Sequence, residues 1–207
     1  PNHENETTQS EGAFDAEFVK YWVHNGFVTI GGDKMSKSLG NFLTIRELTK
    51  EVHPEVLRLL LLARHYRSPI DFSKEAVDSS QQTMVRFYEM LDRMAKSPVK
   101  DGSPRFEGTI NTFNESFDAA MCDDFNTAKA IAQIHDLTTQ VNKLLDDDPA
   151  ITPGDKTSMT AAIASVSEIL GILEEDPAPF LEKIKRSGIS EIGLSEDEIS
   201  SLKSKNA

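Results

Sequence analysis

The sequence predicts a mainly α protein, with a small α/β portion over residues 1–72 leading into an antiparallel helical bundle over residues 73–190. Three observations carry this expectation. Apolar residues recur at steps of three and four along four stretches after Ser73, the mark of amphipathic helices. Before Ser73 the texture is mixed, with one short β-branched run, Phe27-Val28-Thr29-Ile30, beside helical segments. The breaks between the four stretches are short, which favours antiparallel neighbours.

The elements follow in order. Phe14, Phe18, Val19 and Trp22 have helical spacing. Phe27 to Ile30 reads as a strand, and Gly31-Gly32-Asp33 as the turn that closes it. Lys34 to Gly40 is a polar loop, and Thr44 to Lys50 has helical character. Pro54 starts a helix running to His65. Its apolar residues lie nearly all round, so deep burial is expected. The bundle stripes are Met84, Phe87, Leu91, Met94; then Phe106, Ile110, Phe113, Phe117, Met121. Ile131, Ile134, Val141, Leu145 form the third, with slippage near Thr138, and Met159, Ile163, Val166, Ile169, Leu173 the fourth. Breaks fall at Ser97–Pro104, Asp123–Asn126 and Asp146–Gly154. Ser195-Glu196-Asp197-Glu198 is a capping-box signature. It would open a further module over 191–207, and both ends of the chain read as cut.

Composition narrows the function classes. The 207 residues allow one or two domains, and 38% apolar with 27% charged residues is a soluble globular balance. The longest purely apolar run, Leu59 to Ala63, is far short of a membrane span. Cys122 is the only cysteine. That excludes an intrachain disulfide framework and fits a reducing, cytoplasmic setting. The net charge of −12 argues against a basic nucleic-acid wrapper but not against local phosphate contacts. Residues 1–78 carry nine basic and twelve acidic side chains, and residues 79–207 carry thirteen and twenty-two. The first part is nearly balanced and the rest is acidic, which separates two regions of different work.

The informative segment is Lys34-Met35-Ser36-Lys37-Ser38. A specified pentapeptide arises by chance in roughly one chain in ten thousand of this length. Two lysines and two hydroxyls, with Gly31, Gly32 and Gly40 on either side, suit a mobile phosphate clamp after a strand. When an amino acid attacks the α-phosphate of ATP, charge builds on the leaving pyrophosphate. A lysine that closes on those oxygens at that stage stabilises the transition state more than the ground state.

This motif is the second signature of class I aminoacyl-tRNA synthetases, and its surroundings resemble cysteinyl-tRNA synthetases. The resemblance rests on Asn2 to Glu6 with Gln9-Ser10-Glu11, on Tyr21 to Gly26, on Lys34 to Phe42, on His53 to Arg58, on His65 to Ile70, and on Asp123 to Thr127. These stand in the family's order and spacing, over residues 1 to about 175. The resemblance implies ligation of cysteine to tRNA(Cys) through a cysteinyl adenylate, with ATP and magnesium as substrate, in a cytoplasmic monomer. It implies that the first portion is the remnant of a class I α/β catalytic domain bearing the KMSKS loop, followed by tRNA-binding helices. Lys34 and Lys37 would be catalytic, and Lys34, Met35, Ser36, Lys37 and Ser38 would bind ATP. The family also binds zinc that selects the cysteine thiolate. Glu6 matches one ligand, and Asn2 stands where the family has a histidine four residues earlier. An amide oxygen is a poor zinc ligand beside imidazole. His3 shares a helical face with Glu6 and is a substitute candidate, against a solvated helix start. The family's first signature and its upstream zinc cysteine are not in these residues.

Other residues have plainer readings. Cys122 reads as bundle packing, and Tyr21 and Trp22 as core. His24 either lines the adenylate pocket or is structural. Arg46 and Arg58 read as salt-bridged helix ends, whereas Arg64-His65-Tyr66-Arg67 mixes charge with an aromatic in a way that suits RNA contact. Asp123-Asp124 reads as a loop and helix cap, and Asp146–Asp148 as a solvated turn. Two competing functions remain. One is a non-catalytic synthetase-like module that binds RNA or protein. The other is a relative that joins cysteine to an amino sugar.

Overall fold

The computed structural model describes residues 2–30, 33–34 and 44–187, with 33–34 and 186–187 as backbone only. It is mainly helical. Helix α1 (Asn2–Phe14) comes first, and none of its residues is buried. The helix expected from Phe14 to Trp22 does not form. Asp15 adopts a left-handed φ of 49°, and the segment that follows is irregular. The apolar spacing has nothing to pack against there: Phe14 is 80% exposed and Tyr21 84%. Tyr21 and Trp22 are therefore surface residues, not core.

A small sheet follows, from β1 (Val28–Ile30), β2 (Asp33–Lys34) and β3 (Ile70–Asp71) in the order β2-β1-β3. β1 pairs antiparallel with β2 and parallel with β3. The parallel pairing needs a crossover. Helices α2 (Ile45–Leu48) and α3 (Pro54–Leu62) supply it. Just before β1, Gly26 donates its N–H to the Tyr66 carbonyl at 2.7 Å. A Cβ there would lie 2.2 Å from the Ser68 carbonyl oxygen, so this approach requires glycine.

Helix α2 is held by a capping box between Thr44 and Glu47. α3 begins at Pro54 as expected and ends at Leu62, three residues before His65, with Ala63 as its C-cap. Val56, Leu57, Leu59 and Leu60 are buried, but Leu61 is 45% exposed. Burial is thus deep on one side rather than all round.

The remaining helices are α4 (Lys74–Lys96), α5 (Glu107–Cys122), α6 (Thr127–Asp147), α7 (Pro153–Leu170) and α8 (Pro177–Ser187). α6 packs on α5 and α4, α7 on α5, and α3 and α8 on α4. The predicted stripes supply the core: Met84, Phe87, Met94, Ile110, Phe113, Phe117, Ile134, Val141, Leu145, Met159 and Val166 are all buried. At the slippage point Thr138 is buried too, and its hydroxyl donates back to the Ile134 carbonyl at 2.8 Å. Leu173 does not continue α7. Gly171 takes a left-handed φ of 63° and ends the helix, and Leu173 is buried in the following turn. α8 is an addition to the expected elements. Its Phe180 is fully buried, with its ring stacked on Tyr88 at 3.8 Å between centroids.

Five loop and end residues also differ from expectation. Cys122 is exposed, because it lies two residues beyond Ala120 and so falls off the buried face of α5. Asp146 and Asp148 are not simply solvated: Asp146 pairs with Arg93, and Asp148 with Lys100. Arg46 and Arg58 form no ion pair among the described residues, and Arg58 lies across Gly171 instead.

Candidate functional site

The sheet brings the start of the clamp segment to a defined place. Lys34 stands opposite Thr29 in the β1–β2 ladder, and Asp33 opposite Ile30. Thr29 in turn donates its hydroxyl to Asp71 Oδ1 at 2.8 Å, linking β1 to β3. The Lys34 backbone thus leaves the sheet beside its central strand. The Lys34 side chain and all of Met35, Ser36, Lys37 and Ser38 lie outside the described residues.

Earlier in this portion, α1 carries His3, which meets His24. The two Nε2 atoms are 3.2 Å apart. The His3 ring also lies 4.4 Å from the Trp22 ring, centroid to centroid. In this contact one imidazole donates and the other accepts. The separation of 21 residues gave no sequence signal for this pair.

Glu6 is exposed on the same helix. Asn2 holds the position four residues earlier, and His3 is engaged with His24 and Trp22. Among the described residues no three His, Cys, Asp or Glu side chains gather as a metal site. The described residues do not by themselves fit the zinc that the resemblance implies.

Two polar knots fasten this portion to the bundle. The first is Glu55, which is buried at the start of α3. Its carboxylate accepts the Tyr88 hydroxyl at 2.8 Å, the Leu173 N–H at 2.8 Å and the Glu174 N–H at 3.1 Å. Burial, followed by the nearby Glu55 charge, pushes the Tyr88 phenol up. Next to it, Glu175 joins His53 at 3.1 Å and Lys183 at 2.6 Å. The Glu55–Leu173 and His53–Glu175 contacts each join residues more than a hundred apart in sequence.

The second knot is Asp124, in the loop between α5 and α6. It accepts Arg67 Nε at 2.8 Å, Arg67 Nη2 at 3.1 Å and the Tyr66 hydroxyl at 2.7 Å. His65 Nε2 stands 3.7 Å away. The Arg67 and Tyr66 hydrogen bonds hold the Asp124 carboxyl down at about 2. The cap of α6 is Asn126, whose Oδ1 accepts the Lys129 N–H. Asp124 is therefore a tie between segments rather than the helix cap. Tyr66 and Arg67 point into this tie, while Arg64 is exposed beside it.

Comparison with known proteins agrees with this layout. The family described as tRNA synthetases class I (C) catalytic domain matches residues 1–82. The DALR domain family matches residues 116–174. A cysteine–tRNA ligase of Geobacter sp. (strain M21) is 41% identical over 209 residues, covering 98% of this chain and 43% of the relative. That of Methylococcus capsulatus is 42% identical over 196 residues, covering 94% and 40%. That of Nitratidesulfovibrio vulgaris (Hildenborough) is 38% identical over 212 residues, covering 98% and 44%. The chain thus spans about two fifths of the length of the curated relatives it matches. With two family matches in the same order as the sheet and the bundle, and 94–98% of the chain aligned to these relatives, the chain is similar along nearly its whole length to a two-fifths portion of cysteine–tRNA ligases.

Proposed function

We propose that this chain supplies the phosphate clamp and the tRNA-facing helices of an ATP-dependent cysteine–tRNA ligase. The observation that carries the reading is the match to cysteine–tRNA ligases along nearly the whole chain, with the clamp pentapeptide intact. In the first step a cysteine carboxylate oxygen bonds to the α-phosphorus of ATP, and the bond to the pyrophosphate oxygen breaks. Lys37 is the group that meets the charge growing on pyrophosphate, with Lys34 assisting. Met35, Ser36 and Ser38 complete the ATP loop. In the second step a ribose hydroxyl at the tRNA end attacks the carbonyl carbon of the adenylate, and AMP leaves.

The pairing of Lys34 with Thr29 supports this role, because it anchors one end of the loop to a strand. Residues 1–72 act as the clamp-bearing portion, 73–190 as an antiparallel tRNA-binding bundle, and 191–207 as the start of a further module. Ser73 supports the first boundary: its side chain caps α4 directly after β3. Glu6 serves as a zinc ligand only together with donors from outside this chain. The setting is cytoplasmic and the working unit a monomer. Among the described residues no helix is long and apolar enough to cross a membrane. The matched relatives bear the tRNA-ligase name, which favours tRNA over an amino sugar as the acceptor.

The test is ATP–pyrophosphate exchange in the full-length enzyme that carries this sequence. Lys37→Ala should slow cysteine-dependent exchange by roughly hundredfold, the scale of losing one transition-state contact. The KM for cysteine should change little. A wild-type exchange rate in the variant would remove Lys37 from the mechanism.

A further inference from the structure

The loop between α5 and α6 carries a feature that the clamp mechanism does not use. Asp124 and Phe125 are consecutive non-glycine residues in the left-handed region, with φ of 54° and 52°. Asp is among the residues that tolerate this, but a bulky aromatic there is a strained outlier. Such strain persists only where neighbours over-determine it. They do so here. The Asp124 carboxylate is held by Tyr66 and by two nitrogens of Arg67. The Phe125 N–H donates to the Met121 carbonyl and the Asn126 N–H to the Ala120 carbonyl. Thr127 donates its hydroxyl to the Arg64 carbonyl at 3.4 Å.

All this fastening leaves Phe125 60% exposed among the described residues. A ring held in water by a strained turn, without burial to offset it, has no role in the core. Its surroundings carry both charges, with Arg67 paired to Asp124 and Lys129 to Asp123. Arg64 is exposed, Arg67 is 58% exposed while paired, and Lys129 is 54% exposed near Asp123. The Arg67 guanidinium also lies over the Tyr66 ring at 5.1 Å, and the His65 and Tyr66 rings are stacked at 4.8 Å. An exposed aromatic next to arginine is the arrangement that stacks an unpaired nucleobase and steadies its phosphate.

We propose that Phe125 is a stacking contact for an unpaired base of the tRNA, with Arg64 and the Arg67 rim meeting the adjacent backbone. The inference rests on the tRNA-ligase reading and names one contact within it. Local arginines resolve the difficulty of an acidic bundle that holds RNA, since the contact needs no broad positive field.

The experiment uses the full-length enzyme and an in-vitro-transcribed tRNA(Cys). Phe125→Leu should weaken tRNA binding about tenfold. The weakening should be the same at low and high salt, because a ring–base contact releases no counterions. Phe125→Trp should restore affinity, and its emission, read in a Trp22→Phe background, should be quenched when tRNA is added. ATP–pyrophosphate exchange needs no tRNA and serves as the reference. Unchanged affinity in Phe125→Leu, with exchange intact, overturns the stacking role and leaves the ligase reading standing. Loss of exchange and thermal stability along with affinity assigns Phe125 to packing against another part of the protein, and also overturns it. Absence of both exchange and tRNA binding in the unaltered enzyme defeats the ligase reading, and this inference with it.

Discussion

Replacing Glu55 with alanine removes one carboxylate and strands three donors. These are the Tyr88 hydroxyl and the N–H groups of Leu173 and Glu174. Glu55 and Leu173 are 6% and 5% exposed, and Tyr88 is fully buried, so water replaces the carboxylate poorly. A stranded buried donor costs about 1–3 kcal/mol, and a bond to a charged group is worth about 1.5–3 kcal/mol. The Tyr88 hydroxyl oxygen also accepts the Glu175 N–H at 3.2 Å, a bond that the substitution leaves in place without satisfying the stranded hydroxyl proton. The expected loss is therefore about 3–5 kcal/mol, the range for breaking a buried charged contact. For a chain of this size that is a fall in Tm of roughly 6–20 °C. Urea unfolding of the wild type, Glu55→Ala, Tyr88→Phe and the double variant measures it. The two single changes should couple by about 0.5–3 kcal/mol. Full additivity, or a loss under about 0.5 kcal/mol in Glu55→Ala, would refute the knot as a stabilising element.

Two further predictions concern the other buried and clamped carboxylates. Asp155 is fully buried and accepts N–H groups from Thr152, Arg105 and Phe106 as well as the Thr152 hydroxyl. Burial opposes its charge, but those hydrogen bonds outweigh burial and hold its carboxyl below the usual range. Asp155→Ala should cost about 2–4 kcal/mol through the lost cap and the stranded donors, and a urea midpoint equal to wild type would contradict the assignment. Asp124 has its carboxyl depressed from 3.8 to about 2, so its contribution is present above the unfolded value and disappears as pH falls through about 2. Hydrogen exchange at Phe125 and Asn126 should accelerate over that window in the wild type, and Asp124→Asn should be fast already at pH 5. Equal protection in the two proteins at pH 5 would mean the charge does not hold the loop.

How far the fold was legible depends on the distance over which each signal acts. The four bundle stripes were readable because residues three and four apart share a helical face whatever else the chain does. Pro54 marked the start of α3 for the same local reason. The stretch from Phe14 to Trp22 had equally good spacing but no partner surface, and it stayed irregular. Periodicity states which face would be buried, not whether anything covers it. α8 went unread because Pro177 and Pro179 look like breakers, although proline is tolerated in a first helical turn.

The site divides in the same way. The pentapeptide Lys34 to Ser38 and its order relative to Asp123–Thr127 needed no structure, because a chemical motif is written in consecutive residues. The ties that hold the portions together did need one. Glu55 with Leu173, Asp124 with Arg67, and His3 with His24 join residues 118, 57 and 21 apart. Nothing local distinguishes those carboxylates and rings from solvated ones, and Asp123-Asp124 accordingly reads from sequence as a loop and helix cap.

By itself, then, the sequence determined the helical faces and the likeness to cysteine–tRNA ligases. Each depends on neighbours in the chain, whose spacing the covalent backbone sets. Only the tertiary structure decided which polar groups become buried partners, why Cys122 and Trp22 face water, and that the strained turn holds Phe125 outward. Those outcomes depend on which surfaces meet, and packing chooses that among segments far apart in sequence.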